Sequence, residues 1–218
     1  DNAVFVNSGT SALQIALAAL KEQRGWPDGA KVIVPALTFV ASVNVILENR
    51  LVPVFMDVDP YYGIAVDRDP PEGTVAILPV HLNGQQCDMI AVSAYATAHD
   101  LAIVEDSCEA VGARLGGTMC GNWSEISAFS TYSCHHVTTG IGGFATTNDP
   151  ALATLLRSLA NHGRDGIFIP GSTTDGPEVI SRRFAFERVG YSYRASEFEA
   201  AVGCAHMERL RYDLAERR

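Results

Sequence analysis

The densest run of chemistry-bearing side chains in this 218-residue chain lies in the segment AFSTYSCHHVTTGIGG, residues 128–143. Ser130, Thr131, Tyr132, Ser133 and Cys134 lead into two adjacent imidazoles, His135 and His136, and the glycines that follow allow tight turns. An imidazole with its ordinary pKa of about 6.5 can take or give a proton near neutral pH. Two neighbouring histidines do not make a metal centre, because zinc needs three or four ligands and no spaced His or Cys set completes one. Either histidine could equally be a hydrogen-bonded turn residue.

Two other segments carry comparable chemistry. NSGTSAL (7–13) sets Gly9 and three hydroxyl residues, Ser8, Thr10 and Ser11, at the start of a helix pattern beginning with Ala12 and Leu13. Free N–H groups, hydroxyls and the positive end of a helix dipole form an anion site. The same residues also serve as an ordinary N-cap turn, with Ser8 or Thr10 capping the helix. IVEDS ends an apolar run with Glu105 and Asp106. Side-chain alternation sends the two carboxylates to opposite faces, so only one of them can meet a given ligand. That carboxylate could hold a protonated ring nitrogen, cap the next helix or bond backbone amides.

These tips must be positioned by the elements between them. Apolar runs of strand length occur at 32–40, 52–58, 74–82, 101–107, 125–131 and 142–147, with helix-period stretches at 11–23, 42–49 and 89–100. Strands that read as unbroken hydrophobics are those covered on both faces. The chain is therefore expected to be an α/β domain, a three-layer α/β/α arrangement around a mainly parallel sheet. Such sheets bind ligands beyond the carboxyl ends of their strands. There the sequence places Asn7–Ser11, Thr38–Phe39, His81–Gly84, Glu105–Asp106 and Ser130–His136, expected to converge on one crevice.

Composition bounds the function further. The 16 Lys and Arg against 25 Asp and Glu give a net charge of -9, which disfavours a nucleic-acid partner. No run of about twenty apolar residues suggests a membrane span, and DNAVFVNSGT lacks the flanks of a signal peptide. Cytoplasmic localisation is the expectation. Five scattered cysteines without a CxxC pair read as free thiols in a reducing compartment. The chain opens directly into an apolar stretch and ends within the helix pattern AAVGCAHMERLRYDLAERR, so residues 1–218 are expected to be one large domain, truncated at both ends.

Taken together, NSGTSAL, PALTFVASVNVILENRLVPVFMDVD, PVHLNGQ, LAIVEDSCEAVGA, AFSTYSCHHVTTGIGG, LRSLANHGRD and RVGYSYRASEFEAAVG resemble the DegT/DnrJ/EryC1/StrS sugar aminotransferase family, in this order and over nearly the whole chain. The resemblance implies the large domain of a fold-type-I pyridoxal-phosphate (PLP) enzyme, with the small C-terminal domain absent here. It implies Ser8, Gly9, Thr10 and Ser130 at the cofactor phosphate, Phe39 stacked on the pyridine ring and Asp106 on the ring nitrogen. Glu109 stands near the ring oxygen, where the family usually has Gln or His. The family site lies at a homodimer interface, and the position whose Asn reaches the partner's phosphate is Ser192 here.

The same alignment places His135 where the family carries the lysine that binds the cofactor covalently and shuttles the proton. Only two lysines exist. Lys21 lies about 15 Å along the first helix from the phosphate loop at 1.5 Å per residue. Lys31, at the far end of its strand, is also about 15 Å from the tip. The Lys-to-His exchange resembles the nucleotide-sugar 3-dehydrases and 3-dehydratases, which use the pyridoxamine form (PMP) on nucleotide-linked 4-keto-6-deoxy sugars. In that reading His135 is the base for C3 dehydration and His136 plays a supporting part. With only Cys204 after Cys134, no iron-sulfur cluster is expected, and glutamate is the expected amino donor. A sugar aminotransferase, with a lysine supplied from elsewhere, and a catalytically silent cofactor-binding protein remain the alternatives.

Overall fold

A computed structural model describes residues 2–165 and 184–216. The elements are β1 (Asn2–Val6), α1 (Gly9–Arg24), β2 (Lys31–Pro35), α2 (Val40–Glu48), β3 (Val52–Met56), β4 (Thr74–Ile77), α3 (Met89–Ala98), β5 (Ala102–Asp106), β6 (Arg114–Leu115), β7 (Thr118–Met119), β8 (Ile126–Ser130), β9 (Gly143–Thr147), α4 (Pro150–Ala160) and α5 (Glu197–Glu216).

Seven strands form one sheet in the order β1-β9-β8-β5-β4-β2-β3. The run from β8 to β3 is parallel, and β9 is antiparallel to both of its neighbours, β8 and β1. The sheet is thus mainly parallel, as the buried runs imply. β6 and β7 form a separate small hairpin.

Alternation within the strands builds the two cores. Val32 and Val34, Ala76 and Leu78, and Ala102 and Val104 face α1, α2 and α4 in one apolar cluster. Ile33, Ile77 and Ile103 point the other way, into a cluster with Met89, Val92 and Ala96 of α3. On that second face Leu210 of α5 packs against Phe129 and Val137. Three layers result.

Each strand expected from the sequence is present but shorter. The segments 32–40 and 74–82 are corrected most, each losing its last five residues. Strand β2 stops at Pro35, residues 36–39 form a loop, and Val40 already starts α2. The apolar run misled because Leu37 and Phe39 are exposed there rather than sheet core. Similarly β4 ends at Ile77, and Leu82–Gly84 form a short 3-10 turn. Helix α1 is capped by Ser8, whose side chain accepts from the Ser11 N–H, and ends on Gly25 in the left-handed region (φ 64°).

Candidate functional site

Five loops at the carboxyl edge of the sheet enclose a cavity of about 410 Å³, within the size range of small-molecule sites. Its wall contains every site residue anticipated above except Ser192: Ser8, Gly9, Thr10, Phe39, Asp106, Glu109, Ser130 and His135. Ser192 instead forms a bridge with Asn161, and its hydroxyl accepts from Arg194. His136 is likewise outside the lining, with its Nδ1 buried and unpaired.

One end of the cavity is the start of α1. Ser8 Oγ accepts from Ser11 N–H (3.0 Å) and donates to Ser11 Oγ (2.9 Å), which in turn donates to Asn7 Oδ1 (2.7 Å). The capping and anion-site readings of this turn coexist, because a capped helix start still presents its first-turn N–H groups. Gly9 is required by proximity. A Cβ there would lie 2.8 Å from both Cys108 Sγ and Ser130 Cβ. Its absence lets the α1 terminus close on the end of β8, where Ser130 is almost fully buried.

The middle of the cavity is the end of β5. Alternation separates Glu105 from Asp106 as expected. Glu105 points away and is fully buried, accepting from Gly121 N–H (2.9 Å), Trp123 N–H (3.0 Å), Ser124 Oγ (2.8 Å), Ser127 Oγ (3.0 Å) and His81 Nε2 (3.0 Å). The Nδ1 of His81 accepts from the Cys87 N–H (3.2 Å), which puts the ring proton on Nε2. Asp106, 6% exposed, lines the cavity, with Oδ1 accepting from Cys108 N–H (3.2 Å) and Oδ2 from Ser42 Oγ (2.8 Å). Phe39, 69% exposed, also lines the cavity.

The other wall is the Tyr132–His135 loop. His135 is partly buried, and its pKa is lowered. Desolvation drives it down, and the carboxylates of Glu109 and Asp106 only partly offset that. At neutral pH the imidazole is therefore uncharged, the state a base requires. Glu109 Oε2 accepts from Asn83 N–H (2.6 Å), tying the loop after β4 to the cavity. Burial, with Asp106 and Glu109 adding to it, pushes the Cys108 thiol well above its ordinary range, so this thiol stays protonated.

The donor set fits a phosphorylated, protonated aromatic ring. Helix N–H groups with Ser8, Thr10 and Ser130 suit a phosphate, Asp106 suits a ring N–H⁺, and Phe39 offers a flat apolar face. Neither lysine enters the cavity. Lys21 Nζ is held by Asp28 Oδ1 (2.5 Å) and Asn49 O (2.7 Å), and Lys31 Nζ donates to Glu72 O (2.7 Å). Among the described residues no group of three or more His, Cys, Asp or Glu is placed to hold a metal ion, and no helix is long and apolar enough to cross a membrane.

Sequence reasoning missed Ser42, which reads only as part of a helix pattern, and left His81 unassigned although its tip was flagged. Cys108, Cys134 and Tyr132 also line the cavity.

Comparison with known proteins bears on this geometry. A GDP-perosamine synthase of Caulobacter vibrioides is 38% identical over 221 residues, covering 99% of this chain and 54% of its own length. A dTDP-4-dehydro-2,6-dideoxy-D-glucose 3-dehydratase of Saccharopolyspora spinosa is 32% identical, covering 94% of this chain and 49% of its own. The solved E. coli GDP-4-keto-6-deoxy-D-mannose-3-dehydratase with bound hydrated PLP superposes with a TM-score of 0.86 at 25% identity, over 95% of this chain and 56% of that one. The chain thus spans about half the length of the curated relatives it matches. The profile of the DegT/DnrJ/EryC1/StrS aminotransferase family matches residues 1–218. A match along the whole chain makes this chain a member of that PLP-dependent family.

Proposed function

We propose that this chain is the cofactor-binding part of a PLP/PMP-dependent enzyme that dehydrates C3 of a nucleotide-linked 4-keto-6-deoxy sugar, with His135 as the base. One observation carries this reading: both lysine amines are engaged outside the cavity, while the His135 imidazole lines it together with Asp106 and Glu109.

When bound as PMP, the cofactor supplies the amine that condenses with the sugar ketone and a ring that accepts the electrons released by proton loss. The chain's own part follows from its side chains. The α1 terminus with Ser8, Thr10 and Ser130 holds the phosphate, Phe39 covers one ring face and Asp106 keeps the ring nitrogen protonated. An imidazole nitrogen of His135 would take the proton from the carbon bearing the amine and, as the imidazolium, would pass it to the C3 hydroxyl, which would leave as water. Glutamate is the proposed donor that restores the amine.

A homodimer completes the site in this reading. Leu37, Phe39, Val40, Tyr132 and Ile141 are all exposed around the cavity, an apolar rim of the kind that marks an interface. Ser192, which does not line this cavity, is proposed to face the partner's phosphate.

A sugar aminotransferase is the second reading, favoured by the 38% identity to a GDP-perosamine synthase, and it requires a lysine from outside this chain. Borohydride reduction of the PLP-loaded protein, followed by mass spectrometry, separates the two. The dehydratase reading predicts no covalent PLP adduct in the wild type and one at the new residue in His135→Lys. A reducible adduct in the wild type, or none in His135→Lys, contradicts it.

A further inference from the structure

Ser42 lies on the second residue past Val40 in α2, fully buried, 64 residues from Asp106 in sequence. A serine inside a helix commonly turns its hydroxyl to solvent or to the carbonyl four residues back. This one does neither: it donates to Asp106 Oδ2 at 2.8 Å. A hydroxyl has one hydrogen and two acceptor sites. With its hydrogen committed to Asp106, Ser42 Oγ can only accept from Thr38 Oγ1, 2.9 Å away. The chain of donors therefore has a direction, Thr38 to Ser42 to Asp106.

The other carboxylate oxygen is held by the Cys108 N–H at 3.2 Å. Each oxygen has one anchor, and the two together fix the rotation of the carboxylate about its Cβ–Cγ bond. At 6% exposure water is a poor substitute for either anchor. The same turn of chain, Thr38–Ser42, carries Phe39, so the residue proposed to cover the ring and the hydroxyls that aim the carboxylate move as one piece.

We infer that Ser42, relayed from Thr38, is a positioning residue that aims the Asp106 carboxylate at the protonated nitrogen of an aromatic cofactor. This rests on the reading of the cavity as a PLP site. Directed hydrogen-bond chains polarise each link, so removing the upstream hydroxyl should weaken the effect of the downstream one.

The test measures PLP affinity of the protein by fluorescence titration, and the absorbance of bound PLP against pH to follow its ring nitrogen. Ser42→Ala should weaken PLP binding about tenfold and lower the pH at which the ring nitrogen loses its proton by about one unit. Thr38→Val should move both readouts the same way by a smaller amount, and Thr38→Ser, which keeps the hydroxyl, should restore them. Should Ser42→Ala fail to fold, the Thr38 pair decides alone. Wild-type affinity and titration in both Ser42→Ala and Thr38→Val, with both altered in Asp106→Asn, would overturn the inference and leave the cavity reading intact. If Asp106→Asn also behaves as wild type, or the wild type binds no PLP, the cavity reading falls and the inference with it.

Discussion

Removing the Glu105 carboxylate should destabilise the fold far more than its place beside a ligand site suggests. It is fully buried and accepts five hydrogen bonds. In Glu105→Ala the Ser124 and Ser127 hydroxyls can turn to each other (2.8 Å), and Ser124 can also use the Ile126 carbonyl (3.1 Å). The N–H groups of Gly121 and Trp123 and the Nε2–H of His81 have no such freedom. Three stranded donors at about 1–3 kcal/mol each give about 3–9 kcal/mol, and local rearrangement places the expected loss near the lower end, about 3–5 kcal/mol. For a domain of this size that is a fall in Tm of about 6–20 °C. The effect also has a pH signature. Although burial works against ionisation, hydrogen bonds from His81, Gly121 and Ser124 outweigh it and hold the Glu105 pKa below the ordinary glutamate value. A carboxyl lowered on folding gives stability that is complete above its unfolded pKa and drains away as pH falls through the folded one. Thermal unfolding by circular dichroism from pH 7 to below pH 4 should therefore show the gap between wild type and Glu105→Gln holding steady down to the ordinary glutamate pKa of about 4.3 and narrowing below it. A Glu105→Ala protein within 2 °C of wild type at pH 7, or a gap that widens on acidification, would refute the assignment of Glu105 as a buried ionised hub.

Two further outcomes follow from the cavity wall. Gly9→Ala sets a methyl 2.8 Å from Ser130 Cβ and Cys108 Sγ, which forces α1 away from β8; fluorescence titration should show PLP affinity weakened about 5- to 150-fold, the equivalent of the about 1–3 kcal/mol that overpacking of this kind costs. Because burial lowers the His135 pKa, the acid limb of the pH–rate profile should inflect below the ordinary imidazole value of about 6.5, and an inflection above it would mean that the carboxylates of Glu109 and Asp106 dominate instead.

The sheet was legible because its strands are covered on both faces, and runs such as LAIVED contain nothing else that α/β packing would need. Strand direction was less so. Only 12 residues join β8 to β9, with no helix among them, too few for the usual parallel crossover; the reversal could have been read from that spacing but not from composition. The overrun of β2 has a different cause. Phe39 lines a cavity and Leu37 is exposed beside it, so neither fills a core, and hydrophobic pattern alone cannot tell those uses apart. Helix α4 carried the signal Asp149-Pro150, a cap followed by proline at the first helical position, which periodicity searches pass over. For the site, the tips named by strand ends meet around one cavity, and alternation put Glu105 and Asp106 on opposite faces, while the choice of Asp106 as the cavity-facing carboxylate came from the family resemblance. What sequence could not supply were the long-range anchors. The partners of Glu105 come from positions 81, 121, 123, 124 and 127, and that of Asp106 from position 42, joined only by the crossovers of the fold.

The central claim is that an imidazole, not an amine, moves the proton in this cavity. The protein loaded with PMP deuterated at the methylene carbon, mixed with a nucleotide-linked 4-keto-6-deoxy sugar, can be followed through a single turnover by mass spectrometry. The account predicts loss of the label to solvent in the wild type and a rate lowered about 10²- to 10⁴-fold in His135→Asn with PMP still bound. Label loss at the wild-type rate in His135→Asn would contradict it.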